Sequence, residues 1–206
     1  SSDEGRGGSS FVIKIAVFAS GHGSNLQALI DATTSGELPA TIELVVSDRR
    51  EAYCLARASE AGLLTLAFSP KDYGDKAQYE ELLAEKLAEL EVEYLVLAGY
   101  MRLIGPTLLE RYPRRIVNIH PSLLPLFPGR DGIGQALAAG VTETGVTIHY
   151  VDGGMDTGPI IAQERIAVSP EEDRASLEKR IHVVEHSLYP RVLRQIFMES
   201  REEQNG

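Results

Sequence analysis

Phe11-Val12-Ile13-Lys14-Ile15-Ala16-Val17-Phe18-Ala19-Ser20-Gly21-His22-Gly23-Ser24-Asn25-Leu26 is the stretch on which the fold turns. Phe11 to Ala19 is an apolar run broken only by Lys14, the pattern of a strand buried on both faces in a parallel sheet. Ser20 to Ser24 reads as a glycine-rich turn. Asn25 to Thr34 then places Leu26, Leu29 and Ile30 on one helical face, and Gly36 and Pro39 close the helix.

The same alternation continues downstream. Ile42 to Ser47 predicts a second strand, Tyr53 to Ala61 a helix stopped by Gly62, and Leu63 to Phe68 a third strand. Lys76 to Glu91 carries Tyr79, Leu82, Leu83, Leu87 and Leu90 at the spacing of an amphipathic helix. Tyr94 to Ala98 and Ile116 to Ile119 give a fourth and a fifth strand. Strands alternating with helices predict an α/β domain with a doubly wound, mostly parallel sheet. After Pro128 the rhythm changes. Gly132 to Ala139 predicts a short helix, and Gly145 to Val151 and Pro159 to Val168 two strands. The short Asp152-Gly153-Gly154-Met155-Asp156-Thr157-Gly158 link between them favours an antiparallel hairpin. Arg174 to Phe197 predicts a long last helix that Pro190 should kink or restart. Residues 1–10, rich in Ser and Gly, read as a disordered leader, 11–200 as one domain, and 201–206 as a frayed polar tail.

Composition narrows the chemistry. A formal charge of −10 argues against a nucleic-acid surface, which would carry a basic stripe. The one cysteine, Cys54, excludes an internal disulfide and a cysteine zinc cage, and suits a reducing, cytoplasmic compartment. No apolar run reaches the roughly 18 residues of a membrane span.

The turn at Gly23, Ser24 and Asn25 opens a helix, where free backbone N–H groups and the helix dipole favour an anion. Leu26 stands where a dinucleotide fingerprint needs its third glycine, which favours a monophosphate over a pyrophosphate. The alternative is a structural turn capped by Ser24 or Asn25. In Asn118-Ile119-His120-Pro121 the amide and the imidazole lie two residues apart, so a strand points both to one face while Ile119 anchors it from behind. Pro121 ends the strand, placing both side chains at a carboxyl edge, where ligands of open α/β sheets bind. Asp156 is either a turn former or a carboxylate that favours a charged imidazole beside it. His149 reads as a core or supporting residue, His182 and His186 as a helix face without a third metal ligand, and Glu185 as solvated. His22 is open to solvent or to a ligand alike.

Four motifs in this order resemble the phosphoribosylglycinamide formyltransferases, the folate-dependent formyl-transfer enzymes of purine synthesis: Ser20-Gly-His-Gly-Ser-Asn-Leu-Gln27, Ala98-Gly-Tyr-Met-Arg-Leu-Ile104, Asn118-Ile-His-Pro-Ser-Leu-Leu-Pro125 and Asp156-Thr-Gly-Pro-Ile160. The likeness runs from about Lys14 to Phe197. It implies a Rossmann-type N-terminal half (about 11–112) for the nucleotide phosphate and a folate and catalytic half (about 113–200). It implies that Gly23, Ser24 and Asn25 hold the phosphate of glycinamide ribonucleotide and that Glu185 contacts its ribose end. Met101, Arg102, Leu103 and Ile104 would wall the folate slot, with Lys76 near it and Asp152, Gly153, Gly154, Met155 and Asp156 as the folate loop. Asn118, His120 and Asp156 would be the catalytic trio. Two departures stand out: Lys76 replaces an arginine, and Arg130-Asp131-Gly132-Ile133 lacks the histidines that some members carry.

The implied co-substrate is 10-formyltetrahydrofolate, with no metal, and the partners are small molecules acting on a monomer or homodimer. Three alternatives stay open. A methionyl-tRNA formyltransferase shares the trio but is expected to add a C-terminal RNA-binding domain. A formyltetrahydrofolate hydrolase is expected to add an N-terminal regulatory domain. A non-catalytic nucleotide-binding domain has no use for His120 and Asp156 together.

Overall fold

The computed structural model describes residues 11–205. The predicted leader and Gly206 lie outside them. Among the described residues seven strands form one sheet: β1 (Ile13–Phe18), β2 (Ala40–Ser47), β3 (Thr65–Ala67), β4 (Tyr94–Leu97), β5 (Ile116–His120), β6 (Glu143–Tyr150) and β7 (Ile160–Ala167). Their order is β3-β2-β1-β4-β5-β6-β7. The first five run parallel, and β6 and β7 each pair antiparallel with the strand before. The predicted hairpin is therefore present.

Along β1 the side chains divide by parity. Ile13, Ile15 and Val17 face one core with α1 (Ser24–Ser35), α2 (Tyr53–Glu60) and α6 (Arg174–Asn205). Ala16 and Phe18 face the other, with α3 (Lys76–Glu89) and α4 (Pro106–Arg111). Helices on both faces explain why β1 and β4 are apolar almost throughout instead of alternating. The strand order reverses between β1 and β4, so the loops leaving them diverge and open a crevice at their carboxyl ends.

Several local expectations change. Leu82 is 52% exposed, because it sits about 100° round the helix from Leu83. The buried stripe of α3 is Tyr79, Leu83 and Leu87, flanked by Glu80 and Ala84. Pro190 neither stops nor restarts α6, which runs through it and on to Asn205. The polar residues 201–205 stay helical where their composition predicts fraying, and Arg201 reaches the Glu93 carboxylate and the Val12 carbonyl. The short α4 and the 3-10 turn Pro70–Asp72 span too few residues to leave a periodic signal.

Candidate active site

The loop after β1 delivers the glycine turn to the crevice edge. Gly23 is the residue before α1 and holds φ at +84°. A Cβ there would lie 2.8 Å from Cys54 Cβ, so both backbone angle and space require glycine. Neither Ser24 nor Asn25 caps the helix with its side chain, which leaves the first-turn N–H groups of α1 without a side-chain acceptor. Asn25 Oδ1 is buried with no hydrogen-bond partner among the described residues. Arg57 on α2 donates from Nε to the His22 carbonyl at 2.8 Å, and the exposed His22 ring stacks on Tyr53.

On α6, Glu185 is buried rather than solvated and accepts from His182 Nδ1 at 2.6 Å. That bond raises the His182 pKa against the opposing effect of burial. Burial lowers the pKa of His186, whose ring stacks at 6.0 Å from His182. One turn beyond Glu185, the hydroxyl of fully buried Tyr189 lies 2.8 Å from the Leu97 carbonyl and 3.1 Å from that of Val117. α6 is thus tied to β4 and β5 just below their carboxyl ends.

A cleft of about 460 Å³ opens at those ends, lined by Leu97 and Ile104 from one face of the sheet and by Ile133 of α5 (Gly132–Ala138) and Arg174 and Glu178 of α6 from the other. Asn118 and His120 both line it, and Ile119 between them touches it while packing into the core shared with α1, α2 and α6. Antiparallel pairing puts His149 directly across from Asn118, and the Asn118 amide lies 3.1 Å from His149 Nε2. His149 Nδ1 lies 2.9 Å from the Tyr150 carbonyl, which can only accept, so Nδ1 carries a proton. The amide keeps a second N–H for the cleft.

Asp156 arrives by a longer route. The chain leaves β6 beside Ile116, with Val151 N donating to the Ile116 carbonyl, and must fold back along β5 before Asp156 can meet His120. A Cβ on Gly158 would lie within bonding distance of the Tyr150 carbonyl, so only glycine lets the chain turn back so closely. Asp152 shapes this loop by accepting from Gly154 N and Thr157 Oγ1. Asp156 itself holds φ at +56°, with Oδ2 3.5 Å from His120 Nδ1 and Oδ1 3.7 Å from His149 Nε2. Burial pushes its carboxyl up; the His149 contact, the Gly129 N–H and the His120 charge outweigh this and hold it below the usual carboxylate range. His120 Nε2 lies 2.8 Å from the Phe127 carbonyl and must donate to it. Nδ1 is then the ring nitrogen left facing Asp156.

The remaining expected residues divide. Met101, Arg102, Leu103, Ile104, Gly154 and Met155 line the cleft. Asp152 and Gly153 lie behind it as loop structure, and Lys76 places Nζ 2.7 Å from the Leu103 carbonyl, behind the wall. Gly23, Ser24, Asn25 and Glu185 lie outside this cleft; Ser24 borders a separate one with Arg57 and His186. Sequence reasoning passes over the polar residues that hold the walls. Glu80 is buried and accepts from Gly105 N, and burial raises its carboxyl pKa. Thr147 Oγ1 donates to the Ser122 carbonyl and accepts from Leu124 N and Gln163 Nε2, fixing the exit from β5. The one signal in the sequence is that Thr147 shares a strand face with His149.

Residues 13–193 match the formyl transferase family. The chain is 49% identical over 183 residues to the phosphoribosylglycinamide formyltransferase of Bacillus subtilis, covering 89% of this chain and 94% of that one. It is 43% identical over 182 residues to the trifunctional purine biosynthetic protein adenosine-3 of Drosophila melanogaster, covering 87% of this chain and 14% of that protein. The crystal structure of glycinamide ribonucleotide transformylase 1 from Geobacillus kaustophilus superposes with a TM-score of 0.88 at 55% identity, covering 90% and 98% of the two chains.

Proposed function

The chain belongs to the formyl transferase family, and from that membership and the cleft geometry we infer that it transfers a formyl group from a formyl folate to the amine of glycinamide ribonucleotide in purine biosynthesis. The donor we propose is 10-formyltetrahydrofolate. The observation that carries the chemical reading is the convergence of Asn118, His120 and Asp156 on one cleft from two strands and a returning loop.

In this reaction a neutral amine attacks the formyl carbon, and the formyl oxygen becomes an alkoxide in a tetrahedral intermediate. The free N–H of Asn118 and the Nδ1–H of charged His120 would stabilise that oxygen, and preorganised donors of this kind usually supply more of the rate enhancement in acyl transfer than any other effect. Losing one costs roughly 3–4 kcal/mol. His120 can then protonate the departing folate nitrogen from Nδ1, while its Nε2–H stays on Phe127 and keeps the ring oriented. Asp156, ionised because its partners outweigh its burial, favours the charged ring and can accept the proton that the attacking amine loses, through a water molecule.

Gly23, Ser24 and Asn25 would take the nucleotide's phosphate on the first-turn N–H groups of α1. The unpartnered Asn25 oxygen suits an N–H or O–H of the same substrate. Glu185 would hold the ribose hydroxyls, exchanging or sharing its bond to His182. Met101 to Ile104 would wall the pterin, with Gly154 and Met155 across from them.

The test follows folate product formation with and without glycinamide ribonucleotide. Product should appear only with the amine acceptor. Equal release without it would make the protein a hydrolase and overturn the assignment.

A further inference from the structure

Met101 and Leu103 are 55% and 43% exposed, so packing alone does not fix their segment. Besides the Lys76 bond to the Leu103 carbonyl, its hydrogen bonds run inward to a buried carboxylate at the end of a different strand. Asp48, the residue after β2, is 5% exposed, and its two oxygens are divided. Oδ1 accepts from Ser20 Oγ at 2.6 Å, and Oδ2 accepts from Arg102 Nε at 3.1 Å. Ser20 Oγ in turn accepts from Met101 N at 2.8 Å, and Ser20 N donates to the Gly99 carbonyl at 3.0 Å. The result is a closed ring: two successive residues of the wall hang from one carboxylate, one directly and one through the serine that opens the glycine turn.

Charge buried this deeply stabilises a structure only when every donor facing it is used, as both are here. Two donors converge on Asp48, so an amide in its place could accept from Arg102 only by turning its N–H group towards Ser20 Oγ, leaving the hydroxyl proton without its acceptor. The chemistry therefore asks for an acceptor at both positions.

We propose that Asp48 is a positioning residue for the formyl-folate side of the cleft, acting through Arg102 and Ser20. This rests on the reading in which residues 101–104 wall the folate slot. A recognition wall works only when a supporting set of side chains holds it in register.

The test is steady-state kinetics on Asp48→Asn, Arg102→Leu and the double variant. Asp48→Asn should raise KM for formyl folate about tenfold, the size of one charge-assisted hydrogen bond, and leave KM for the nucleotide within about twofold. The double variant should fall short of the summed single losses, because with Arg102 gone only the Ser20 branch is left for Asp48→Asn to break. An unchanged formyl-folate KM in Asp48→Asn beside a raised one in Arg102→Leu overturns the positioning role and leaves the folate wall standing. Additive losses, or an equal rise in nucleotide KM, also overturn it, since they mark a general structural effect. No change in Arg102→Leu removes Arg102 from the wall and the proposal with it. Should Asp48→Asn fail to fold, Ser20→Ala strips only the hydroxyl under Met101 and carries the same expectation for formyl folate.

Discussion

The strands up to β4 and those from β5 onward furnish the carboxyl edge of the sheet by different means. β1 and β4 run parallel, so their carboxyl ends reach one edge and deliver loops: the turn at residues 20–25 and the wall at 99–104. What those loops offer is mostly backbone N–H groups and apolar surface. β5 is the seam, parallel to β4 and antiparallel to β6. Antiparallel pairing sets side chains opposite one another, and Asn118 meets His149 in this way. The parallel part is suited to grip substrates through the chain itself, and the antiparallel part to hold titrating side chains in register.

This division predicts different kinetic signatures. The largest effect should come from the seam and the loop that folds back onto it: His120→Ala and Asp156→Asn should each cut turnover at least about a hundredfold, on the scale of one lost oxyanion donor or its charge partner. Nucleotide binding, followed by titration calorimetry, should persist in both. Near-normal turnover in either variant would remove that residue from the chemistry, and lost nucleotide binding would erase the contrast between the two regions. On the parallel side, Asn25→Ala should raise the nucleotide KM about tenfold with kcat changed only a few-fold, as for loss of a binding contact. An unchanged KM would count against the phosphate assignment.

The smallest effect concerns α6. His182 gains a carboxylate partner on folding, so its pKa is raised above the ordinary 6.5. The stabilisation is then complete below that value and lost as pH rises through the raised one. His182→Ala should therefore destabilise the fold more near about pH 6 than near about pH 9, a difference of at most about 1 kcal/mol because the imidazole side of the pair is 42% exposed, and paired thermal melts at the two pH values read it. A pH-independent difference would mean that the ring contributes packing rather than charge.

The parallel half is the more legible in sequence. β1 and β4 are buried on both faces, so their apolar runs name them, and Gly36 and Gly62 mark where helices end. Asn118 and His120 are legible because strand parity alone puts them together. Asp156 is harder, since its meeting with His120 depends on a loop that reverses direction, which no local pattern encodes. The helices are read well where they are long; Leu82 shows that counting apolar residues is weaker than following the 3.6 period. Asp48 and Glu80 leave no signal, and Thr147 only its parity with His149, because a buried polar residue looks like a surface one until its donors are seen around it. Of the two outcomes expected at Pro190 the restart does not occur: α6 is held through Tyr189 to two strands, and that tertiary anchor outweighs one missing N–H.

The left-handed backbone of Asp156 has a further consequence. Most side chains meet a conformational penalty at φ +56°, while Asp and Asn tolerate it best. Few residue types can occupy this point without strain, and among the acidic ones Glu is the worse fit. The choice of carboxylate is therefore made by main-chain geometry before proton affinity enters. Selection for a sturdier protein alone would drift this site towards glycine and remove the carboxylate that faces His120.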